Sequence, residues 1–195
     1  MNAPLPTTTD VRASLASRLS ERSLGHCERV AAAAASLASE YGLNPKAAEL
    51  AGLLHDWHRD AGDDDLLASA EELGLDVDEV ERARPYLLHA RTAAAEVRRE
   101  FPGIGEDVVH AVEAHTLGSV GMSDLAKAVY VADMIEPARS WEGVDELRAS
   151  VGEVGLDELF FRAYQRTLCH LVAKRKRIHP RAHAVWESLV EEVRP

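Results

Sequence analysis

Long apolar segments and cysteine pairs are missing from this 195-residue sequence. No stretch approaches the roughly 18 consecutive apolar residues that a bilayer-spanning helix needs. Residues 1–10 show no basic segment followed by an apolar one, as a secretion signal would. The two cysteines, Cys27 and Cys169, lack the CxxC spacing of redox and zinc motifs. We therefore expect a cytoplasmic protein with reduced thiols and no membrane partner.

Positively charged residues are fewer than negatively charged ones. The net charge of −11 argues against broad binding to nucleic acid or to an anionic membrane surface. It does not exclude a small anionic ligand, because a metal ion and a few local cations can outweigh the global field. The run of Lys and Arg at 174–177 ends a predicted helix, where positive charge complements the helix dipole.

Strand patterns and phosphate-loop motifs are absent as well. No segment shows sustained alternation of period two, and neither a Gly-rich phosphate loop nor a GxSxG elbow occurs. Apolar residues instead recur at helical spacing, most clearly over 156–172. The length suits one domain with a sizeable core. We predict an all-α single domain over residues 10–195, with roughly eight to ten helices, preceded by a mobile N-terminal tail over residues 1–9.

Several helix boundaries can be predicted from capping signals. Asn44 followed by Pro45 indicates an N-cap and the first helical position. A first helix is expected from about residue 10 to about residue 23, and a second from near His26, after Leu24-Gly25. Asp76 with Glu79 has the spacing of a capping box for a further short helix.

Ligand-type side chains follow one another in the order H…HD…H…H…D. The first His is His26; His55 and Asp56 end the apolar run 51–54, and Asp133 lies within Val-Ala-Asp-Met-Ile. Such nitrogen and oxygen ligands suit Fe, Mn, Zn or another divalent metal. We predict that His26, His55, Asp56 and Asp133 hold a metal ion. For Asp133 the alternative is a salt bridge to a buried arginine, since a buried carboxylate needs a partner.

Two further histidines and two arginines accompany this set. His89 and His115 each lie near a predicted helix terminus, from which they could reach a phosphate oxygen or a second metal. Arg59 follows the His-Asp pair by three residues, and Arg139 follows the Pro that ends the Asp133 helix. Each arginine could pair with a phosphate group, and the alternative for both is a solvated surface position.

These segments together resemble the HD-domain superfamily of metal-dependent phosphohydrolases, and within it the bacterial YqeK family of symmetrical dinucleoside tetraphosphatases. The resemblance extends from about residue 10 to about residue 190. Its most specific block is HT-x-G…MS…YVAD-x-IEP-x-R, which runs from His115 to Arg139.

The resemblance implies an all-α HD-domain helical bundle with an iron centre, with Mn or another divalent transition metal as the alternative and one or two ions bound. It implies that the metal ligands are His26, His55, Asp56 and Asp133. It further places His89, His115, Thr116 and Arg139 near the nucleotide phosphates, and Gly118 in nucleotide binding. One departure is Arg59, where the family often has lysine; Arg keeps the charge but changes the geometry.

The implied activity is hydrolysis of diadenosine tetraphosphate to two ADP, so the expected partner is a dinucleoside polyphosphate substrate. The chemistry would be metal-assisted hydrolysis of a phosphoanhydride. One alternative is another HD phosphohydrolase, acting on a nucleoside monophosphate or on guanosine tetraphosphate. A second is a non-catalytic nucleotide sensor, which the intact ligand set disfavours. The sequence leaves the oligomeric state open, with a homodimer among the options.

Overall fold

The computed structural model describes residues 6–192. Within that range the regular secondary structure is helical, apart from one isolated β-bridge between Val151 and Val154. This confirms the all-α prediction, although the 11 α-helices and one 3-10 helix exceed the predicted number, with α9 unforeseen. The helices are α1 Thr8–Ala16, α2 Glu21–Glu40, α3 Pro45–Leu54, α4 Asp63–Glu72, α5 Glu79–Ala83, the 3-10 helix Pro85–Leu88, α6 His89–Glu100, α7 Glu106–Ala114, α8 Asp124–Ile135, α9 Val144–Ala149, α10 Leu156–Ala173 and α11 Pro180–Glu192. None of them has the length and apolar character needed to cross a bilayer.

The first two helices start earlier than predicted. Helix α1 begins at Thr8 rather than near residue 10, and α2 begins at Glu21 rather than near residue 26. Ser20 caps α2, because its side chain accepts a hydrogen bond from the Ser23 N–H at 3.3 Å. A glycine inside a helix costs only about 1 kcal/mol relative to Ala, so Gly25 does not break this capped helix. Residues 1–5 lie outside the described range, and the mobility predicted for residues 1–9 stays a prediction.

Two predicted capping sites have different outcomes. Asn44 caps α3 as predicted, accepting from two backbone N–H groups at 3.1 and 3.3 Å, with Pro45 as the first helical residue. The predicted capping box was wrong by two residues, since Asp78 and Glu81 cap α5. Both pairs have the same three-residue spacing, so the pattern alone does not choose between them.

Helices α2 and α3 approach each other closely at Gly52. A Cβ atom added at Gly52 would lie 2.8 Å from the Ala31 Cα, a contact that packed atoms do not make. Ala31 and Ala34 are buried on the facing side of α2, so small residues on both helices allow this distance. The packing fixes the N-terminal half of α2, which carries His26, beside the end of α3, which carries His55 and Asp56.

Helix α8 runs through the middle of the bundle and packs against α2, α3, α7 and α10. Val129, Tyr130 and Val131 are each at most 3% exposed, which explains why this helix is apolar on several sides. Its last turn carries Asp133. The ends of α3, α7 and α8, the start of α6 and the first half of α2 therefore meet at one place.

Candidate metal centre and active site

Asp56 lies at the centre of a buried cluster of histidines, immediately after α3. Its Oδ2 atom is 3.2 Å from His55 Nε2 and 3.5 Å from His26 Nε2. Its Oδ1 atom is 3.3 Å from His89 Nε2 and 3.5 Å from His115 Nε2. The structure thus brings three of the four predicted ligands together around one oxygen. It also brings the two later histidines to the other oxygen of the same carboxylate.

Three of these histidines are oriented by the ends of helices. In each case the histidine Nδ1 lies at hydrogen-bond distance from the carbonyl three residues earlier, which belongs to the last turn of α3 or α7, or for His89 to the 3-10 helix before α6. The Tyr86 carbonyl also accepts from the His89 backbone N–H, which its two lone pairs allow. Because a carbonyl can only accept, Nδ1 carries the proton and Nε2 keeps its lone pair for a ligand. The distances are 2.7 Å from His55 to Gly52, 2.6 Å from His89 to Tyr86 and 2.8 Å from His115 to Val112.

The fourth histidine, His26, lies inside α2 and is oriented by a side chain. Its Nδ1 atom is 3.2 Å from Glu136 Oε1, and the other Glu136 oxygen accepts from Arg29 Nε at 2.7 Å. Glu136 is only 2% exposed. Sequence reasoning gave no role to Glu136 or Arg29. The available signal was that Glu136 follows Asp133 by three residues and therefore leaves α8 at the same end.

The Nε2 lone pairs point toward one another, and the cluster offers too few hydrogen-bond donors to satisfy them all. His89 Nε2 and His115 Nε2 lie 3.0 Å apart. Thr116 Oγ1 lies 3.2 and 3.0 Å from these two atoms, but one hydroxyl proton can serve only one of them. Among the described residues, the buried Nε2 atoms of His26 and His55 make no hydrogen bond, nor does Asp56 Oδ2.

A cation satisfies this arrangement of acceptors better than hydrogen bonding does. The cluster contains two groups of three residues whose ligand atoms, within each group, all lie within 4.8 Å of one another. One group is His26, His55 and Asp56, and the other is Asp56, His89 and His115, so Asp56 belongs to both. Nitrogen and carboxylate donors of this kind are typical of transition-metal sites. The side chains present therefore fit a metal ion, although they do not identify it.

The electrostatics of the cluster also favour positive charge. Burial alone would raise the pKa of Asp56, but the His55 charge and the close contacts with the other histidines outweigh it and hold that pKa far below its usual range. Burial opposes protonation of His55, yet the neighbouring Asp56 charge raises the pKa of His55. Burial lowers the pKa of His115 to about 4, so its imidazole is neutral at pH 7 and its Nε2 can serve as a ligand.

Asp133 is placed beside His26 and is also paired with an arginine. Its Oδ1 atom is 3.0 Å from His26 Nε2. Arg139 forms an ion pair with the same oxygen, and its Nε donates to the Asp133 carbonyl at 2.8 Å. Burial opposes ionisation, but the adjacent His26 side chain and the His55 and Arg139 charges hold the pKa of Asp133 below its usual range. The structure thus shows the ion pair with an arginine. Asp133 belongs to neither group of ligand atoms around Asp56, so its role as a metal ligand stays a prediction.

Arg59 also reaches the cluster. Its Nη1 atom is 3.2 Å from Asp56 Oδ2, and its guanidinium carbon lies 5.3 Å from the centre of the Tyr86 ring. Arg59, His89, His115 and Asp133 all line a small central cavity of about 170 Å³. Arg59 also lines a neighbouring polar cavity of about 550 Å³, which four arginines share: Arg22, Arg29, Arg59 and Arg139. Anionic groups could thus bind next to the ligand cluster.

Gly118 is placed differently from the rest of the predicted site. It lines a separate cavity of about 320 Å³ together with Thr116, and it is not among the residues around the central cavity. Its φ of +73° favours glycine, and an added Cβ would lie 3.0 Å from the Tyr164 ring. These contacts explain a glycine here on conformational grounds, and its role in nucleotide binding stays a prediction.

A third group of acidic and histidine side chains, far from Asp56 in sequence, has a structural explanation. His179 Nε2 is 2.9 Å from Asp78 Oδ2, while His179 Nδ1 accepts from the Arg181 N–H at 3.1 Å. Nε2 must therefore carry the proton and cannot bind a metal. Both Glu81 oxygens are 3.0 Å from Arg91 Nη1. This group joins the start of α11 to α5.

Comparisons with known proteins agree with the site. The HD domain family model matches residues 23–138, more than half of the chain. The symmetrical bis(5'-nucleosyl)-tetraphosphatase of Bacillus subtilis is 31% identical over 173 residues, which are 89% of this chain and 92% of that protein. The Staphylococcus aureus protein of the same name is 33% identical over 160 residues, 80% of this chain and 81% of that one.

A solved structure has the same fold. The crystal structure described as an HD superfamily hydrolase involved in NAD metabolism, from Clostridium acetobutylicum, superposes with a TM-score of 0.89 and 28% identity. The match covers 97% of this chain and 100% of that one. This chain therefore belongs to the HD-domain family of metal-dependent hydrolases, in the branch that contains these symmetrical tetraphosphatases.

Proposed function

We propose that this chain is a metal-dependent hydrolase that cleaves diadenosine tetraphosphate and related dinucleoside polyphosphates symmetrically, giving two ADP from the diadenosine compound. The observation that carries the proposal is the Asp56 cluster, whose two groups of ligands share one carboxylate beside an arginine-lined cavity. The names of the relatives from Bacillus subtilis and Staphylococcus aureus supply the substrate class.

The metal proposed here is iron, with manganese or another divalent transition metal as the alternative. We propose two ions, one on each side of Asp56, because the Oδ2 and Oδ1 atoms each face a separate pair of histidine Nε2 atoms. His26, His55 and Asp133 would hold the first ion, and His89 and His115 the second. Both cysteines are unpaired in the structure, which supports the cytoplasmic location that we propose.

The reaction is hydrolysis of the central phosphoanhydride bond. When bound, the metal lowers the pKa of a water molecule and polarises a phosphoryl oxygen. The helix-end carbonyls keep the Nε2 atoms of three histidines in place, so the ligand geometry is set before substrate arrives. Arg59 and Arg139, which contact Asp56 and Asp133 in the structure, are positioned to stabilise negative charge that builds on the phosphate chain.

The positions of the cationic groups support symmetrical cleavage, which the names of the relatives supply. Arg59 lines both the small central cavity and the larger polar one, and Arg139 lines that larger cavity. A four-phosphate chain held between these arginines and the ligand cluster would place its inner phosphorus atoms next to the reacting water. The nucleosides would then extend away from the metal centre.

The products of the reaction in oxygen-18 water test this proposal. Metal-replete protein is expected to convert diadenosine tetraphosphate to ADP alone, with the label on the β-phosphate of one of the two ADP molecules. AMP plus ATP would mean attack on an outer anhydride and would overturn the proposed bond cleavage. Activity on AMP or guanosine tetraphosphate but not on the dinucleotide would establish one of the alternative phosphohydrolases, and no turnover on any of them would establish the sensor.

A further inference from the structure

A further cavity, of about 520 Å³, lies beside the central one and differs from it in character. The two share the side chains of Asp133, Met134 and Thr167, so the cavities lie next to each other at the end of α8. Its surface is mainly apolar, with Trp141 in its wall, whereas the arginine-lined cavity is mainly polar. Arg139 lines both of these larger cavities. Small-molecule sites commonly have volumes of about 300–1,000 Å³.

Trp141 is held in a fixed position. Its indole N–H donates to the Met134 carbonyl at 2.9 Å, and the half-buried side chain packs against the hydrophobic core. The carbonyl that it binds belongs to the residue immediately after Asp133. The position of the indole ring is therefore tied to the end of α8 that carries the metal-site carboxylate.

The loop beside Trp141 is also fixed by its neighbours. Gly143 has a φ of +93°, and a Cβ atom there would lie 2.7 Å from Arg166 Nη1. Arg166 in turn pairs with Glu146 on α9. Because the glycine allows Arg166 to lie across the backbone, Arg166 and Trp141 together form one side of the cavity.

We propose that this cavity binds the nucleobase of one half of the substrate, with Trp141 as its stacking surface. The inference rests on the proposed function, since a nucleoside attached to a phosphate chain in the central cavity could extend into this neighbouring cavity. An aromatic ring offers a stacking surface to any base, and the apolar wall suits a base rather than a phosphate. The two halves of a symmetrical substrate would thus meet unlike surroundings, one aromatic and one rich in arginine.

Binding of ADP, compared with binding of inorganic pyrophosphate, tests the assignment without requiring turnover. Both probes offer phosphates to the metal-replete protein, but only ADP carries a base. Calorimetric titration of Trp141→Ala is expected to show about tenfold or more weaker binding of ADP than wild type, with pyrophosphate affinity unchanged. Trp141→Phe keeps an aromatic ring and is expected to retain most of the ADP affinity. Trp186→Ala, which removes an indole stacked on Phe161 on α10, is the control and is expected to change neither.

Tryptophan fluorescence gives a second readout on the same variants. ADP is expected to quench the emission of wild type and of Trp186→Phe, and not that of Trp141→Phe, whereas pyrophosphate quenches none of them. Unchanged ADP affinity in Trp141→Ala, equal weakening of ADP and pyrophosphate, or persistent quenching in Trp141→Phe would overturn the base site. Failure of the proposed function shows separately, as wild-type protein that binds ADP through Trp141 but does not hydrolyse diadenosine tetraphosphate.

Discussion

Three of the histidines around Asp56 are oriented by backbone atoms, and the fourth is oriented by a side chain. His55, His89 and His115 each bind the carbonyl three residues earlier, at the end of a helix. His26 lies within α2 and depends on Glu136, which comes from the end of α8. The backbone-held histidines each depend on a carbonyl only three residues away in the chain, whereas His26 depends on the packing of α8 against α2.

This difference decides which histidine orientations a point mutation can disturb. No side-chain substitution removes a carbonyl, so the orientation of the first three histidines is robust to point mutation. The orientation of His26 can be disturbed by changing Glu136 alone. The predictions below use this contrast, together with the two sides of Asp56, to separate the parts of the site.

The largest effect is expected from Asp56→Ala. Asp56 serves both groups of ligands, so its loss should remove metal from both sides and reduce turnover of diadenosine tetraphosphate by on the order of 1,000-fold or more. Elemental analysis and product chromatography measure the two quantities. Full metal occupancy in this variant would contradict the ligand assignment.

The two sides of Asp56 are separated by single histidine variants. His89→Ala and His115→Ala should each keep the ion on the His26 side, giving about one metal per chain, while activity falls on the order of 100-fold. His26→Ala and His55→Ala should each keep the ion on the His89 side and lose the ion on the His26 side. If either His89→Ala or His115→Ala binds no metal at all, the two ligand groups are one site rather than two.

A smaller and more selective effect is expected from Glu136→Gln. Partners that orient metal-bound histidines typically contribute 10- to 100-fold in metal affinity, and here the loss should fall on the His26 side only. Arg29→Gln is the matched control, because it removes another partner of Glu136 while leaving the contact with His26 and the hydrogen bond from the Ala138 N–H. Chelator competition measures the affinities. Equal losses in the two variants would assign Glu136 to packing rather than to His26.

The smallest effect is expected at Arg59. Its side chain contacts Asp56 but is half-exposed at the edge of the cavity. Arg59→Ala should raise KM for diadenosine tetraphosphate about tenfold through the loss of a charge-assisted phosphate contact. Arg59→Lys, the residue common in the family, should stay within about threefold of wild type because it keeps the charge. Steady-state kinetics decide this, and wild-type values for Arg59→Ala would make it a surface arginine.

The sequence predicted much of the fold because local signals dominate in helices. Asn44 and Pro45 were sufficient to place the start of α3. The ordered histidines and Asp56 predicted a cluster that the structure does bring together. The start of α2 was predicted wrongly because Gly25 resembled a break, whereas the cap at Ser20 determines the helix. Helix α9 is only six residues long and gave too short a pattern to detect.

Other features of the site depend on tertiary packing and could not be read from the chain. Asp56 faces opposite pairs of histidines only because α2, α3, α6 and α7 converge on it, and spacing in sequence does not reveal which oxygen meets which ring. Glu136 acquires its role by packing of α8 against α2. Trp141 similarly acquires a place in the cavity wall through its bond to Met134. The roles of Asp56 and Glu136 thus come from contacts between helices that are distant in sequence, whereas that of Trp141 comes from the path of the chain just after α8.

Anomalous diffraction tests the central claim, that Asp56 joins two metal sites, most directly. Crystals of iron-loaded protein measured on both sides of the iron absorption edge should show two peaks, one between Asp56 Oδ2 and the His26–His55 pair and one between Asp56 Oδ1 and the His89–His115 pair. No peak is expected at Asp78, Glu81 and His179. A single peak, or peaks that do not contact Asp56, would contradict the account.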